Sequence, residues 1–528
     1  MTNAALRGKP DAGNPHVRFD EGEVASTATP RRGSLLYNNR WLCGTILATV
    51  VLTMAAGAAE TGDCIKLVER NGVVTESLQS AIDATSASGG GVVRLPRGRF
   101  LSDGIRLKDN VTLEIPAGSV LVATTNISAY AEQTVNYVAP DGSKSCKAFI
   151  CAENAANIAI TGKGTIIGSG CYFEVRCAAR GRPRMLRFID CRNVRLEGIS
   201  LLAPASWSCH FMRCDGVTVR GLKIESHANF NNDGLDIEAR NVLVEDCDVD
   251  VEDDAVCFKS DTPDFAVENC EVRNCRISSN CNFIKFGTTS AGIYRKIDIH
   301  DCEVSCKTPS GFTDWRYWEW RPGAGGGGIP GVRTAKCGLS GIALEVVDGG
   351  VMEDVSVRNI EIGAGVQTPI LVRQGRRHKS AVKGRPSVMR NILIENVRAV
   401  APAESLIACS ITGVPGLRPQ NIVLRNVDLL FPGDAEPPFP GGREVSEKFD
   451  VVPEVEYSYP ENRMFGTILP AWGIYVRHVD GVSFENVHLK LSNPDRREHA
   501  VVAVDVSGLS VSGCNFTPHG QASVVVGR

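Results

Sequence analysis

The 528-residue chain lacks an excess of charge of either sign: 57 Lys and Arg stand against 60 Asp and Glu. A balance of that kind gives no electrostatic footprint for a polyanion, so nucleic acid is excluded as a partner. Helical periodicity is nearly absent past the first hundred residues, which leaves strands to build the body of the chain. Aromatic residues are only 6% of the total, so any cluster of them is informative. The 19 cysteines are many for a cytosolic protein, but no pair-of-pairs spacing points to zinc. No metal and no cofactor are expected.

The N-terminal end differs from the rest. Residues 1–41 are polar, contain Pro and Gly and show no apolar period, so disorder is expected there. Residues 42–58 follow Arg40 as an apolar run that ends in Ala56-Gly57-Ala58-Ala59. Basic, apolar, then small-x-small is the order of a secretory signal, with a cut expected after Ala58. The leader is long for such a signal, so a retained membrane anchor is the alternative, although the run is marginal for a span. The expected location is therefore secreted or periplasmic, with membrane anchoring through residues 42–58 as the second reading. Export also favours some disulfides, whose connectivity spacing does not reveal.

Residues 62–528 read as one elongated, all-β domain. A short amphipathic helix, Leu78 to Ala84, precedes Gly89-Gly90-Gly91 and suits a cap over the open end of a solenoid. Short strands then begin at Val92, Ile105 and Val111. A phrase of the form Asn/Gly-Val-x-Val/Leu recurs at Asn193, Gly216, Asn241, Lys296, Asp354, Asn391, Asn421 and Gly481. Alternating strands such as LRFID, LDIEA, VCFKS and IALEV are interleaved with it. The close-packed copies are 23 to 30 residues apart, too short a period for a β-propeller. The expected architecture is a parallel β-helix solenoid of about ten coils, a monomer capped by the short N-terminal helix.

The informative stretch is Asn231 to Ser260, NNDGLDIEARNVLVEDCDVDVEDDAVCFKS. Aligned on their apolar residues, Asp233 and Asp254 each lie two places before the first inward side chain, 21 positions apart. Neighbouring parallel strands are ~4.8 Å apart, so the two carboxylates, with Asp253 beside them, should share one spot on the surface. Outward positions of the same strands should stack into columns. One runs Asp236, Cys257, Lys285, Ala343, Leu371; the next runs Glu238, Lys259, Gly287, Glu345, Arg373. Two insertions interrupt the coils. One, between Cys306 and Cys337, clusters Trp315, Tyr317, Trp318 and Trp320 and suits either a flank cover or a sugar-stacking loop. The other, Phe431 to Trp472, carries Tyr457 and Tyr459 and is expected as a surface loop walling one end of a groove.

These motifs carry a resemblance. Asn231-Asn232-Asp233-Gly234 followed by Asp253-Asp254 resembles the Asn-x-Asp-Gly and Asp-Asp motifs of glycoside hydrolase family 28, the polygalacturonase group. Ala203-Pro204-Ala205-Ser206-Trp207 with His210 is similar to its Ser-Pro-x-Trp segment, with alanine for serine and one extra residue. The resemblance covers roughly residues 75 to 515. It implies a right-handed parallel β-helix and an inverting glycosidase acting on a pectic or related polysaccharide or oligosaccharide. By it Asp253 is the general acid, while Asp233 and Asp254 activate water. Asn231, Asp236, His210 and Lys259 would contact the sugar, as would Trp315 and Trp318 if their loop reaches it. The family's Gly-His-Gly falls on Cys281, Asn282 and Phe283, so Asn282 stands for the histidine. Its Arg-x-Lys falls on Ala343 and Glu345, which are not cations. Lys285 and Arg373, one coil away in the same columns, are the expected replacements for gripping a carboxylate. The plainer alternative is that Arg373 pairs with Glu345 and Lys285 with a catalytic acid. A β-helical polysaccharide lyase and a non-catalytic glycan-binding β-helix are the competing classes.

Overall fold

The computed structural model describes residues 64–134, 145–173, 181–309, 338–378, 384–402, 407–433, 452–518 and 524–527, with residues 382 and 405 besides. The leader, the apolar segment 42–58 and the loop bearing Trp315 and Trp318 lie outside them. The described chain is a right-handed parallel β-helix, the hand that parallel crossovers take. Its three faces are long parallel sheets. The face that bears the acids has thirteen rungs, from Ile105–Arg106 to Val524–Gly527, each paired in parallel with the next. The solenoid is thus longer than the repeat phrase suggested, because the terminal rungs pair without carrying that phrase.

The expected alternation is what builds the core. Strands such as Val351–Ile362, with every second side chain buried over Val355-Ser356-Val357, send Val and Ile inward. Stacked coils bring like onto like: Phe188 stacks on Phe211 at 5.5 Å and Phe258 on Phe286 at 4.8 Å. The core is one continuous cluster from Leu78 to Phe516. Burying each such side chain contributes on the order of 1.5–3 kcal/mol. The helix α1, Thr75–Ala87, is longer than the expected Leu78–Ala84 and closes the N-terminal end by burying Leu78 and Ile82. The cysteines of the repeats also face inward: Cys191, Cys214, Cys247, Cys275 and Cys302 are buried free thiols, packed as small apolar groups. Cys171 is disulfide-bonded.

The first letter of the repeat has a backbone cause. Asn193, Asn241, Lys296, Asp354, Asn391 and Asn421 all have φ between 52° and 57°, and Gly216 and Gly481 have φ of 76° and 80°. Each coil turns its corner through a left-handed residue, which glycine and asparagine tolerate best. The asparagines then bond from coil to coil. Asn193 Nδ2 donates to Asn157 Oδ1 at 2.9 Å, and Asn421 Nδ2 donates to Asn391 Oδ1 at 2.9 Å. A second ladder, Asn396, Asn426 and Asn486, is linked at 3.0 and 2.8 Å. Lys296 is the misfit: exposed, at φ 52°, between Asn269 and Asp354. Lys296→Asn should relieve the left-handed penalty and complete the ladder, raising stability by about 1 kcal/mol. A higher urea midpoint at unchanged slope would show it; an unchanged or lower midpoint would deny the ladder any energetic role.

Candidate active site

The turn before each rung of this face sets the acids side by side. Leu235 pairs with Val256 in register, so the turns holding Asp233 and Asp254 lie one above the other. Gly234 N donates to Asp254 O at 2.9 Å, and Ser208 N donates to Asp233 O at 2.8 Å. Glycine is required at 234 by close approach: a Cβ there would sit 2.4 Å from the carbonyl oxygen of Ala255. Asn232 clamps the turn from below, its Nδ2 donating to the carbonyls of Pro204 and Ser206 at 2.9 and 3.2 Å. Asn231 turns through φ 53° and accepts a hydrogen bond from Arg182 at 3.2 Å. Asp253 is half-buried, whereas Asp233, Asp236 and Asp254 are buried.

The acids are not equivalent. Burial pushes Asp254 up, but Lys285, then Lys259, and a bond from Asn282 hold it below its ordinary 3.8. Lys285 Nζ lies 3.2 Å from Asp254 Oδ2, and Asn282 Nδ2 donates to Oδ1 at 2.8 Å. Asn282, in the place of the family's histidine, is thus a fixed donor to a carboxylate. Asp253 goes the other way: burial and the neighbouring Asp254 charge push it up to about 6. Burial pushes Asp236 up to about 7 despite the pull of Lys259, and burial with Asp236 and Asp253 raises Asp233 well above 3.8. Lys259 Nζ serves both, 3.3 Å from Asp236 Oδ1 and 3.7 Å from Asp233 Oδ2. One site therefore holds a carboxylate favoured in its ionised form next to carboxyls pushed toward the protonated form, the division that acid–base chemistry needs.

Upstream, the groove floor continues through His210 and Arg187, in register with Asp236. Arg184 and Arg187 both approach His210 Nδ1, at 3.1 and 3.3 Å. Since a guanidinium only donates, Nδ1 accepts and the ring proton sits on Nε2. Burial, Arg184 and Arg187 keep this imidazole neutral, well below 6.5. Half-buried Trp207 lies between two cations, Arg184 at 4.0 Å and Lys259 at 4.7 Å from its ring centre. Arg184 was not legible as a site residue, because it opens its strand, Arg184–Ile189, ahead of the alternating residues that begin at Leu186, and meets His210 only through the coil stacking. Asp253, Asp254 and Cys281 also bring possible ligand atoms within 4.8 Å of one another. The Lys285 ammonium already balances Asp254 there.

The first expected column is present: Asp236, Cys257, Lys285, Ala343 and Leu371 are successive register partners. Of the second, Glu345 and Arg373 are register partners, but the register shifts between Phe258 and Ser260, so Lys259 and Gly287 do not continue it as a paired column. Where the cations point differs from expectation. Arg373 does not face the groove, nor does it pair with Glu345. Its NH1 donates to Gly413 O at 2.9 Å, and its NH2 donates to the carbonyls of Glu454 and Val455 at 3.1 Å each. Carbonyl oxygens of the second insertion outcompete the carboxylate on the adjacent rung because they are built against the guanidinium. Lys285 follows the plainer expectation and pairs with Asp254; it also meets Tyr459 Oη at 3.3 Å and Glu345 at 3.9 Å. The groove-lining Tyr459 could have been suspected from its aromatic type in a Pro/Gly-rich insertion, but not its partner.

A parallel β-helix that sets paired aspartates on adjacent coils is similar to the polygalacturonase-type solenoids. Residues 96–279 match the model for glycosyl hydrolases family 28, and that segment holds Asp233, Asp253 and Asp254. The chain is 31% identical to a polygalacturonase of Ralstonia solanacearum over 250 residues, 42% of this chain and 45% of that one. It is 25% identical to a probable polygalacturonase of Vitis vinifera over 210 residues, 37% of this chain and 42% of that one. A probable rhamnogalacturonase A of Aspergillus oryzae is 28% identical over 140 residues, 26% of this chain and 29% of that one. The chain thus spans less than half the length of these curated relatives. The fold is shared with the family 28 exopolygalacturonase of Yersinia enterocolitica, with TM-score 0.61 at 15% identity, covering 87% of this chain and 79% of that one. It is shared also with an exopolygalacturonase of Thermotoga maritima, with TM-score 0.54 at 18% identity, covering 74% and 92%.

Proposed function

We propose that this protein hydrolyses O-glycosidic bonds of a pectic or related plant polysaccharide or oligosaccharide, with inversion at the anomeric carbon. The observation that carries the reading is the placement of Asp233 and Asp254 on stacked turns with Asp253 beside them, Lys285 Nζ lying 3.2 Å from Asp254 Oδ2 and Asn282 Nδ2 donating to its Oδ1 at 2.8 Å. Asp253 gives its proton to the glycosidic oxygen as the bond to the anomeric carbon breaks. A water adds its hydroxyl to that carbon from the other face and yields its proton to Asp254. Asp233, raised in pKa, orients the same water by a hydrogen bond. Asp236, Asn231, His210 and Lys259 line the sugar-facing floor, with Trp207 as an apolar platform. Neither Glu345 nor Ala343 offers a positive charge, so a uniformly uronic substrate is less favoured than one with uncharged units. The sequence pattern of residues 42–58 supports export, which N-terminal sequencing of the mature protein and fractionation would test.

A panel of pectic and hemicellulosic glycans, assayed for reducing ends with and without chelator, tests the reading. Reducing ends without an ultraviolet-absorbing unsaturated product, insensitive to chelator, are expected. An unsaturated product would favour a lyase instead, and binding without turnover a glycan-binding solenoid. Early proton NMR should show the inverted anomer. The pH profile follows from the two carboxyls: Asp253 must hold its proton, so kcat/KM falls as pH rises past about 6. Asp254 must be ionised, so activity falls only below its depressed value, under 3.8. A maximum near or above neutrality would reject the assignment.

A further inference from the structure

Downstream of the acids the groove floor is not open. Ala343 and Leu371, the two positions after Lys285 in the Asp236 column, are wholly buried, and so is Tyr475. They form one apolar cluster with Val452, Met464 and Phe465 of the second insertion. Residues 461–465 of that insertion are buried, so this part is no surface loop but a segment packed across the sheet. It is fastened along its length. Arg477 NH1 donates to Val452 O at 2.6 Å, Arg373 holds the carbonyls of Glu454 and Val455, and Arg376 NH1 meets Glu456 at 3.0 Å. Asn462 Nδ2 donates to Leu339 O and Thr368 Oγ1 at 3.2 and 3.0 Å. Its leading edge is Tyr459, whose hydroxyl accepts from Thr288 Oγ1 at 2.7 Å and from Lys285 Nζ at 3.3 Å. Lys285 is on the rung directly after Cys257, one coil from the acids.

We infer that residues 452–470 are a wall that ends the groove about one coil past Asp254, so that the enzyme cleaves only near a chain end, with Tyr459 facing the terminal sugar. This rests on the hydrolase reading and adds to it the mode of attack. The spacing sets the room: one coil is ~4.8 Å, about one sugar ring, whereas the positions two and three coils on lie under Met464 and Phe465. A polymer threading through would have to displace a buried apolar cluster and several buried hydrogen bonds. A polymer presenting its end displaces none of these contacts. The half-exposed Tyr459 ring, approached by Lys285 at 5.4 Å and Arg377 at 5.7 Å from its centre, is the aromatic side chain at that edge, the type that packs against sugar rings.

The test uses the full chain and the glycan that the panel identifies. Wild-type enzyme should release one product size, a mono- or disaccharide, from the first turnovers, with solution viscosity almost unchanged while reducing ends accumulate. A ladder of oligosaccharides with early viscosity loss would overturn the wall while leaving the hydrolase reading intact. No release from any glycan would sink the hydrolase reading and this inference with it. Tyr459→Ala should open the edge and lengthen the early products. Because Tyr459 touches Lys285, Arg376→Ala is the second variant, loosening the fastening at the half-exposed Arg376–Glu456 pair far from the acids. Longer early products in either folded variant support the wall; unchanged product size in both, with wild-type circular dichroism, would overturn it.

Discussion

Asp253→Asn should lower kcat by roughly 10²–10⁴-fold, with the solenoid intact, because a general acid typically contributes that much. Amide for carboxyl keeps the shape of a half-buried side chain whose removal leaves no buried charge unpaired. Its Oδ1 accepts from Asp254 N at 2.9 Å, a bond the amide oxygen can keep. Thermal unfolding should therefore move little while turnover collapses. Substrates with a better leaving group, such as aryl glycosides of the same sugar, should lose far less, since they need little protonation. Near-wild-type kcat on the natural polymer would refute the assignment of Asp253. Asp254→Asn should be as damaging, but with no such rescue, because the water still needs a base whatever the leaving group. That contrast between the two variants separates acid from base better than either loss alone.

Lys285→Met should act through Asp254. The lysine is wholly buried and its ammonium is 3.2 Å from Asp254 Oδ2. Without it Asp254 loses the strongest of the influences that hold it below 3.8. A carboxyl whose folded pKa rises needs a higher pH to ionise, so the acidic limb of kcat/KM moves up toward the alkaline limb at about 6. The bell narrows, and activity at a fixed acid pH falls by about tenfold for each unit that the limb moves above that pH. Breaking a buried pair also costs about 3–5 kcal/mol of stability when the remaining charge is uncompensated. Protonation of Asp254 would offset part of that cost, so the variant should lose less stability at acid pH than at neutral pH. Lys285→Arg, which keeps the charge, should restore the acidic limb. If Lys285→Met leaves the acidic limb in place and only raises KM, the lysine grips substrate and does not set the charge of Asp254.

Arg373 illustrates why a column read from sequence is not yet a site. Its register beside Glu345 was legible, since period-2 alternation and the coil repeat together place every Cα. A guanidinium, however, reaches several ångströms beyond its Cα, and its partner is whatever covers it. Here that is the backbone of residues 454 and 455, some 80 positions later. Burial and Arg477 press Arg373 down to about 9, a penalty that carbonyl bonds offset without supplying a counter-charge. Its role is to fasten the wall.

The sequence by itself determined the solenoid, the inward residues, the stacking of Asp233 over Asp254 and the column of Lys285. Each follows from a short-range rule: alternation selects the face, and a left-handed Asn or Gly marks the corner where one strand ends and the next begins. Only the tertiary structure decided which acid stays ionised, where Arg373 points and where the groove ends. Those depend on desolvation and on contacts between remote segments, such as Tyr459 on Lys285 at a separation of 174 residues. The free energy of a buried charge is set by everything packed around it, and no local pattern in the chain encodes that surrounding.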